Sequence, residues 1–151
     1  QWTARVSGID NTLGKANYKF VTSKNSLGVD MEDKNSADDK LVREVHLVVD
    51  KPVLLKFRSQ DVIHSAFLPH FRVQMNCVPG LSTQFAFTPT QTNSEMKEQE
   101  GADFEYVLLC NKICGAAHYN MQMNFIVETQ DEYNAWIASQ KTLSEKLLTQ
   151  K

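Results

Sequence analysis

The run Cys110-Asn111-Lys112-Ile113-Cys114-Gly115-Ala116-Ala117-His118-Tyr119-Asn120-Met121 is enclosed by two strand-like segments, Phe104 to Cys110 and Met121 to Glu128. It constrains the fold more than any other feature, because a sheet must hold both ends of a short loop that carries two thiols, an imidazole and a thioether. These are the soft and borderline ligands that copper prefers. Cys110, Cys114 and His118 recur four apart, which would place them on one helix face. Gly115 and the flanking strand patterns predict a tight loop instead, in which the side chains can still converge. A second histidine, His64, lies far upstream in Asp61-Val62-Ile63-His64-Ser65.

The rest of the chain predicts a β domain around this loop. Val42 to Val49, Pro52 to Phe57, Val62 to Phe67 and Gln84 to Thr88 read as strands, with turns at Asp50-Lys51 and Pro79-Gly80. Several short strands separated by turns indicate a sandwich or barrel. The first forty residues are polar and punctuated, and Asp30 to Lys40 reads as a charged surface loop. Ser94 to Asp103 is polar and acid-rich and reads as an exposed excursion between strands. Asp131 to Lys151 has helix formers at loose helical spacing and predicts a terminal helix.

Composition removes some functions. With 16 Lys and Arg against 18 Asp and Glu, the formal net charge is -2, so there is no basic field for nucleic acid. No apolar run is long enough to cross a bilayer, and no signal peptide is visible. Of the other candidate ligands, Cys77 reads as a small buried hydrophobe, and His46 as structural or exposed. His70 reads as a surface residue or a supporting neighbour of the site. Met75 and Met123 read as core. Cysteine with histidine could also hold zinc, which has no use for a thioether.

A closed site of two thiolates, two imidazoles and a thioether has no open position for substrate, but it can pass electrons. A blue single-copper site needs one cysteine, whereas a second permits thiolate bridging between two ions. The pattern Cys-x3-Cys-x3-His-x2-Met, with Asp-Val-Ile-His-Ser upstream, resembles the CuA domain of cytochrome c oxidase subunit II. The likeness runs from Lys40 to Trp136, through Pro69, the Val78-Pro79-Gly80 turn and the closing strand.

The resemblance implies a mainly β, cupredoxin-like Greek-key β-sandwich or barrel with a C-terminal helix. It implies a single domain over residues 1–151: an extension and loop over 1–40, a sandwich over 41–130 and a helix over 131–151. It implies a dinuclear copper centre with His64 and His118 as imidazole ligands, Cys110 and Cys114 as bridging thiolates and Met121 as the weak thioether. Lys112 would contribute its backbone carbonyl. The family's magnesium-binding acids are replaced here by Asn76 and Lys112, so the usual magnesium site is not expected. The Lys112 ammonium would take over the metal's positive charge.

The implied role is in a respiratory chain, on the periplasmic side of a bacterial inner membrane. Electrons would come from a c-type cytochrome and pass to haem in oxidase subunit I. The subunit's membrane helices would precede Gln1, and Trp2 would lie in the region matching the family's aromatic-rich stretch, which helps electrons enter. The rivals are a nitrous oxide reductase-type CuA domain and a zinc- or copper-binding module without electron transfer.

Overall fold

The computed structural model of the chain describes residues 1–8 and 10–148. They gather into two compact units. The first comprises Gln1–Trp2 and Arg43–Ala135. Its main sheet has five strands: β3 (Val45–Val48), β5 (His64–Leu68), β6 (Val73–Cys77), β8 (Tyr106–Cys110) and β9 (Gln122–Glu128), in the order β3-β9-β8-β5-β6. All neighbours are antiparallel except β3 and β9, so the sheet is mixed. A second pair, β4 (Val53–Phe57) with β7 (Thr83–Phe87), completes the β structure of this unit.

Alternation accounts for these strands. In β9, Met123, Phe125 and Val127 are buried while Gln122 and Asn124 are exposed, and in β8 Tyr106, Leu108 and Cys110 are buried. Strand β5 lies between two neighbours and is buried at four of its five positions, including Ala66 and Leu68 at 0% exposure. Aromatic rings close one end of the sheet, where Phe71 stacks on Tyr106 with centroids 4.6 Å apart.

The second unit comprises Thr3–Val42 and the chain from Trp136 onward. There β1 (Ala4–Val6) pairs antiparallel with β2 (Lys40–Val42). The segment expected to be a surface loop contributes Ser36 and Asp39, both at 0% exposure. Asp39 can be buried because Arg5 Nη1 donates to its Oδ2 at 2.9 Å and the Gly14 N–H donates to the same oxygen at 3.0 Å. Burial still pushes the Asp39 carboxyl up, against those two partners.

Other expectations also need correction. Val42 to Val49 is interrupted at Arg43-Glu44, so β2 and β3 are separate. Strand β6 went unread, although Val73, Met75 and Cys77 alternate with exposed Gln74 and Asn76. The excursion at 94–103 contains a helix, α1 (Asn93–Glu100). The terminal helix is divided into α2 (Gln130–Ser139) and α3 (Leu143–Leu148).

One device explains all three helix starts. Thr92 and Glu95 form a capping box, with the Thr92 N–H donating to Glu95 Oε2 at 2.7 Å and the Glu95 N–H to Thr92 Oγ1 at 3.2 Å. Thr129 with Glu132, and Thr142 with Glu145, repeat the exchange. A threonine cap stabilises a helix start by about 1 kcal/mol. The one at Thr142 starts a new helix where a continuous one was expected.

Candidate metal centre

Sheet register brings the ligand types together. Ala66 of β5 sits opposite Cys110, the last residue of β8. His64 opens β5 two residues earlier, so its side chain shares the face of Ala66 and Cys110. The loop after Cys110 is a series of turns: His118 N–H donates to Gly115 O, Asn120 N–H to Ala117 O and Met121 N–H to His118 O, each at 3.1 Å. Gly115 has φ 141°, a conformation that side-chain-bearing residues rarely adopt. The loop closes where the Cys110 N–H donates to Met121 O at 3.1 Å.

The donor atoms face one another. Cys110 Sγ and Cys114 Sγ are 3.7 Å apart and are free thiols. Cys110 Sγ lies 3.9 Å from His64 Nδ1 and 3.3 Å from the Lys112 carbonyl oxygen. Cys114 Sγ lies 3.6 Å from His118 Nδ1 and 3.9 Å from Met121 Sδ. The tightest group is His64, Cys110 and Cys114, whose ligand atoms all fall within 4.8 Å of one another. All six residues expected at the site therefore meet at one end of the sheet, in contacts through sulfur.

Cys110 is the thiol readier to lose its proton and ligate metal. Burial pushes the Cys110 thiol up, but backbone hydrogen bonds at Ser65 and Lys112 and the imidazoles of His64 and His118 outweigh it, leaving it at about 6. Burial raises Cys114, and the Cys110 sulfur beside it raises it further. His64 is oriented from outside, because its Nε2 lies 2.8 Å from Asp61 Oδ1. That hydrogen bond holds the Asp61 carboxyl at about 2 and fixes the ring with Nδ1 facing the Cys110 sulfur.

The remaining candidates separate cleanly. Cys77 is fully buried, opposite His64 across β5 and β6, and its thiol is raised by burial. His46 is buried at β3, with Nδ1 2.7 Å from Glu128 Oε1. His70 lies away from the sulfurs, edge-on to Phe104 at 4.8 Å. Met75 is half-buried and Met123 buried. Asn76 and Lys112 are both exposed. Trp2 joins the site in a way that no local pattern foretells. Its Nε1–H donates to Met121 O at 3.2 Å, and its ring centroid is 6.2 Å from that of His64.

Known proteins resemble this chain over most of its length. The family model for the periplasmic domain of cytochrome c oxidase subunit II matches residues 15–130. The alternative cytochrome c oxidase subunit 2 of Bradyrhizobium diazoefficiens is 35% identical over 95% of this chain and 49% of its own length. Cytochrome c oxidase subunit 2 of Synechocystis is 29% identical over 64% of this chain and 26% of its own. The chain thus spans about half, or less, of the length of these relatives.

Among solved structures, the periplasmic domain of cytochrome oxidase subunit II from Bradyrhizobium japonicum shares the fold, with a TM-score of 0.55 and 23% identity. The superposition covers 66% of this chain and 64% of that one. The mainly β, cupredoxin-like architecture is therefore the one observed here.

Proposed function

Because the chain belongs to the family of cytochrome c oxidase subunit II periplasmic domains, we propose that it is the electron-accepting domain of a haem-copper terminal oxidase, built around a dinuclear copper centre. Its main support is the approach of two free cysteine sulfurs to 3.7 Å, each with a histidine Nδ1 within 3.9 Å. The donor set fits copper: two thiolates, two imidazoles, one thioether and the Lys112 carbonyl leave no place for substrate. Copper held there would supply a one-electron couple, accepting from a c-type cytochrome and donating to haem in subunit I.

The chain's own residues keep such a couple fast and tuned. Cys110 and Met121 are 8% and 7% exposed, so water is largely excluded from both ends of the loop. Asp61 fixes the His64 ring, and the Trp2 indole and Cys110 amide together hold the Met121 carbonyl. A ligand frame held in this way moves little when its charge changes by one, which lowers the cost of each transfer. Trp2, 6.2 Å from the His64 ring, provides a π surface at the edge of the site.

Metal and spectroscopy test the reading. Reconstitution of the reduced chain with copper should give two coppers per chain, a purple colour and hyperfine coupling to two equivalent copper nuclei. One tightly bound zinc with no such signal would favour the rival module instead. Lys112 and Asn76 carry no carboxylate, so neither position offers magnesium an anionic oxygen. The Lys112 ammonium instead pairs with acids of the partner subunit. Magnesium found beside Lys112 in the intact complex would count against this.

A further inference from the structure

An ordered loop in the second unit displays side chains that nothing in the electron-transfer reading uses. Between Asp10 and Asp30 the chain has lysines at 15, 19 and 24 and no acid. In the same stretch Tyr18 is 79% exposed, Phe20 46% and Val21 47%.

These residues are held in place by hydrogen bonds. The Asp30 N–H donates to Lys15 O at 2.8 Å and the Asn17 N–H to Gly28 O at 2.7 Å, closing the base. Inside the loop, Asn25 Nδ2 donates to Phe20 O at 3.2 Å and Val29 O at 2.8 Å, while Asn25 Oδ1 accepts from the Val29 N–H at 2.9 Å. A 3-10 turn over Tyr18–Phe20 is capped by the Asn17 side chain, which accepts from the Lys19 N–H at 3.0 Å. Gly28 sits at φ 60°, where a Cβ would meet Asn17 O at 2.3 Å, so the closure requires glycine. Val29, 2% exposed, anchors the loop in its own unit.

The loop therefore keeps two aromatic rings and a valine in water, an exposure that apolar surface resists. Such ordered apolar tips mark contact surfaces. Their electrostatics select the partner. Among the described residues, Lys19 and Lys24 have no carboxylate partner at ion-pair distance. Asp30 and Asp33 keep their negative charge but sit at the base of the loop, bound to backbone N–H groups, rather than at its tip. Asp30 Oδ1 accepts from the Glu32 N–H at 3.0 Å, and Asp33 accepts from the N–H groups of Lys15 at 2.9 Å and Asn35 at 3.2 Å.

Lys19 stands between Tyr18 and Phe20, and Lys24 follows Val21 by three positions, so cations and apolar groups alternate across one tip. That mixture suits the interfacial layer of a bilayer, where rings enter among the headgroups and ammonium groups meet phosphate. We propose that the Lys15–Asp30 loop is a peripheral membrane-docking element that binds an anionic phospholipid surface.

Co-sedimentation of the full chain with vesicles tests this without reference to copper. Binding is expected to vesicles of mixed phosphatidylcholine and phosphatidylglycerol, and to weaken with salt. Lys19→Gln and Lys24→Gln should each weaken it about fivefold. Tyr18→Ser combined with Phe20→Ser should abolish it, with circular dichroism unchanged. Both lysines are exposed, so their variants read out even if the aromatic pair fails to fold. Lack of binding to the mixed vesicles, or equal binding by the lysine variants, overturns the proposal. Loop-dependent capture of a membrane protein without vesicle binding overturns it too.

Discussion

Cys114→Ser is expected to take the reconstituted chain from two coppers to one or none, with loss of the purple colour. Hyperfine coupling should collapse from two equivalent nuclei to one, or vanish. The reason is geometric. Cys114 Sγ is within 3.9 Å of Cys110 Sγ, His118 Nδ1 and Met121 Sδ, so it is the sulfur through which the far half of the site is joined to the near half. A serine hydroxyl is a harder donor that stays protonated at neutral pH, so it does not replace the bridging thiolate. The loss in metal affinity should exceed the roughly 10–100-fold typical of disturbing an outer partner of a ligand. Cys77→Ala provides the contrast. Cys77 is buried opposite His64 but is not among the converging ligand atoms, so this variant should keep both coppers. Two coppers and an unchanged spectrum in Cys114→Ser would refute the assignment of that sulfur as a bridge.

The second large effect is on stability. Phe125→Ala should cost the metal-free chain about 3–5 kcal/mol, read from denaturant unfolding. Phe125 is 2% exposed on β9, opposite Tyr106 of β8 on one side and Val45 of β3 on the other. Removing its ring leaves a cavity where three strands meet and where the neighbours are held by their ladders. Asn124→Ala, on the exposed face of the same strand, should stay within about 0.5 kcal/mol of the parent. A loss below about 1 kcal/mol for Phe125→Ala would mean that the sheet repacks around the gap. The measurement belongs on the metal-free protein, because bound metal adds its own linkage to folding.

The candidate metal centre was legible because its signal is chemical and mostly local. Four candidate ligand side chains fall between Cys110 and Met121, and soft donor types are scarce enough elsewhere for their clustering to stand out. His64 stands out as a histidine far from the loop, but its approach to Cys110 depends on the β5–β8 register, a long-range pairing that no local pattern shows. The Trp2 hydrogen bond to Met121 spans 119 positions and leaves no periodic trace.

The second unit was harder to read. Burial of Asp39 follows from Arg5 and Gly14, which are distant in sequence, so a charge that locally looks solvated is internal. The helix at Asn93 and the break before Leu143 were missed for the opposite reason. Their signal, threonine followed three residues later by glutamate, is local and visible, but polar composition outweighed it. Strand β6 is similar, because its alternation is regular yet half of it is polar.

The ligand loop leaves β8 at Cys110 and rejoins β9 just after Met121, with a single amide-to-carbonyl hydrogen bond at its neck. All but one of the candidate side-chain ligands therefore travel on one connection between adjacent strands. Such a cassette can be exchanged, lengthened or re-lettered in one step of inheritance while the sheet beneath keeps its register. Metal preference and redox tuning could then diverge between lineages much faster than the architecture that carries them.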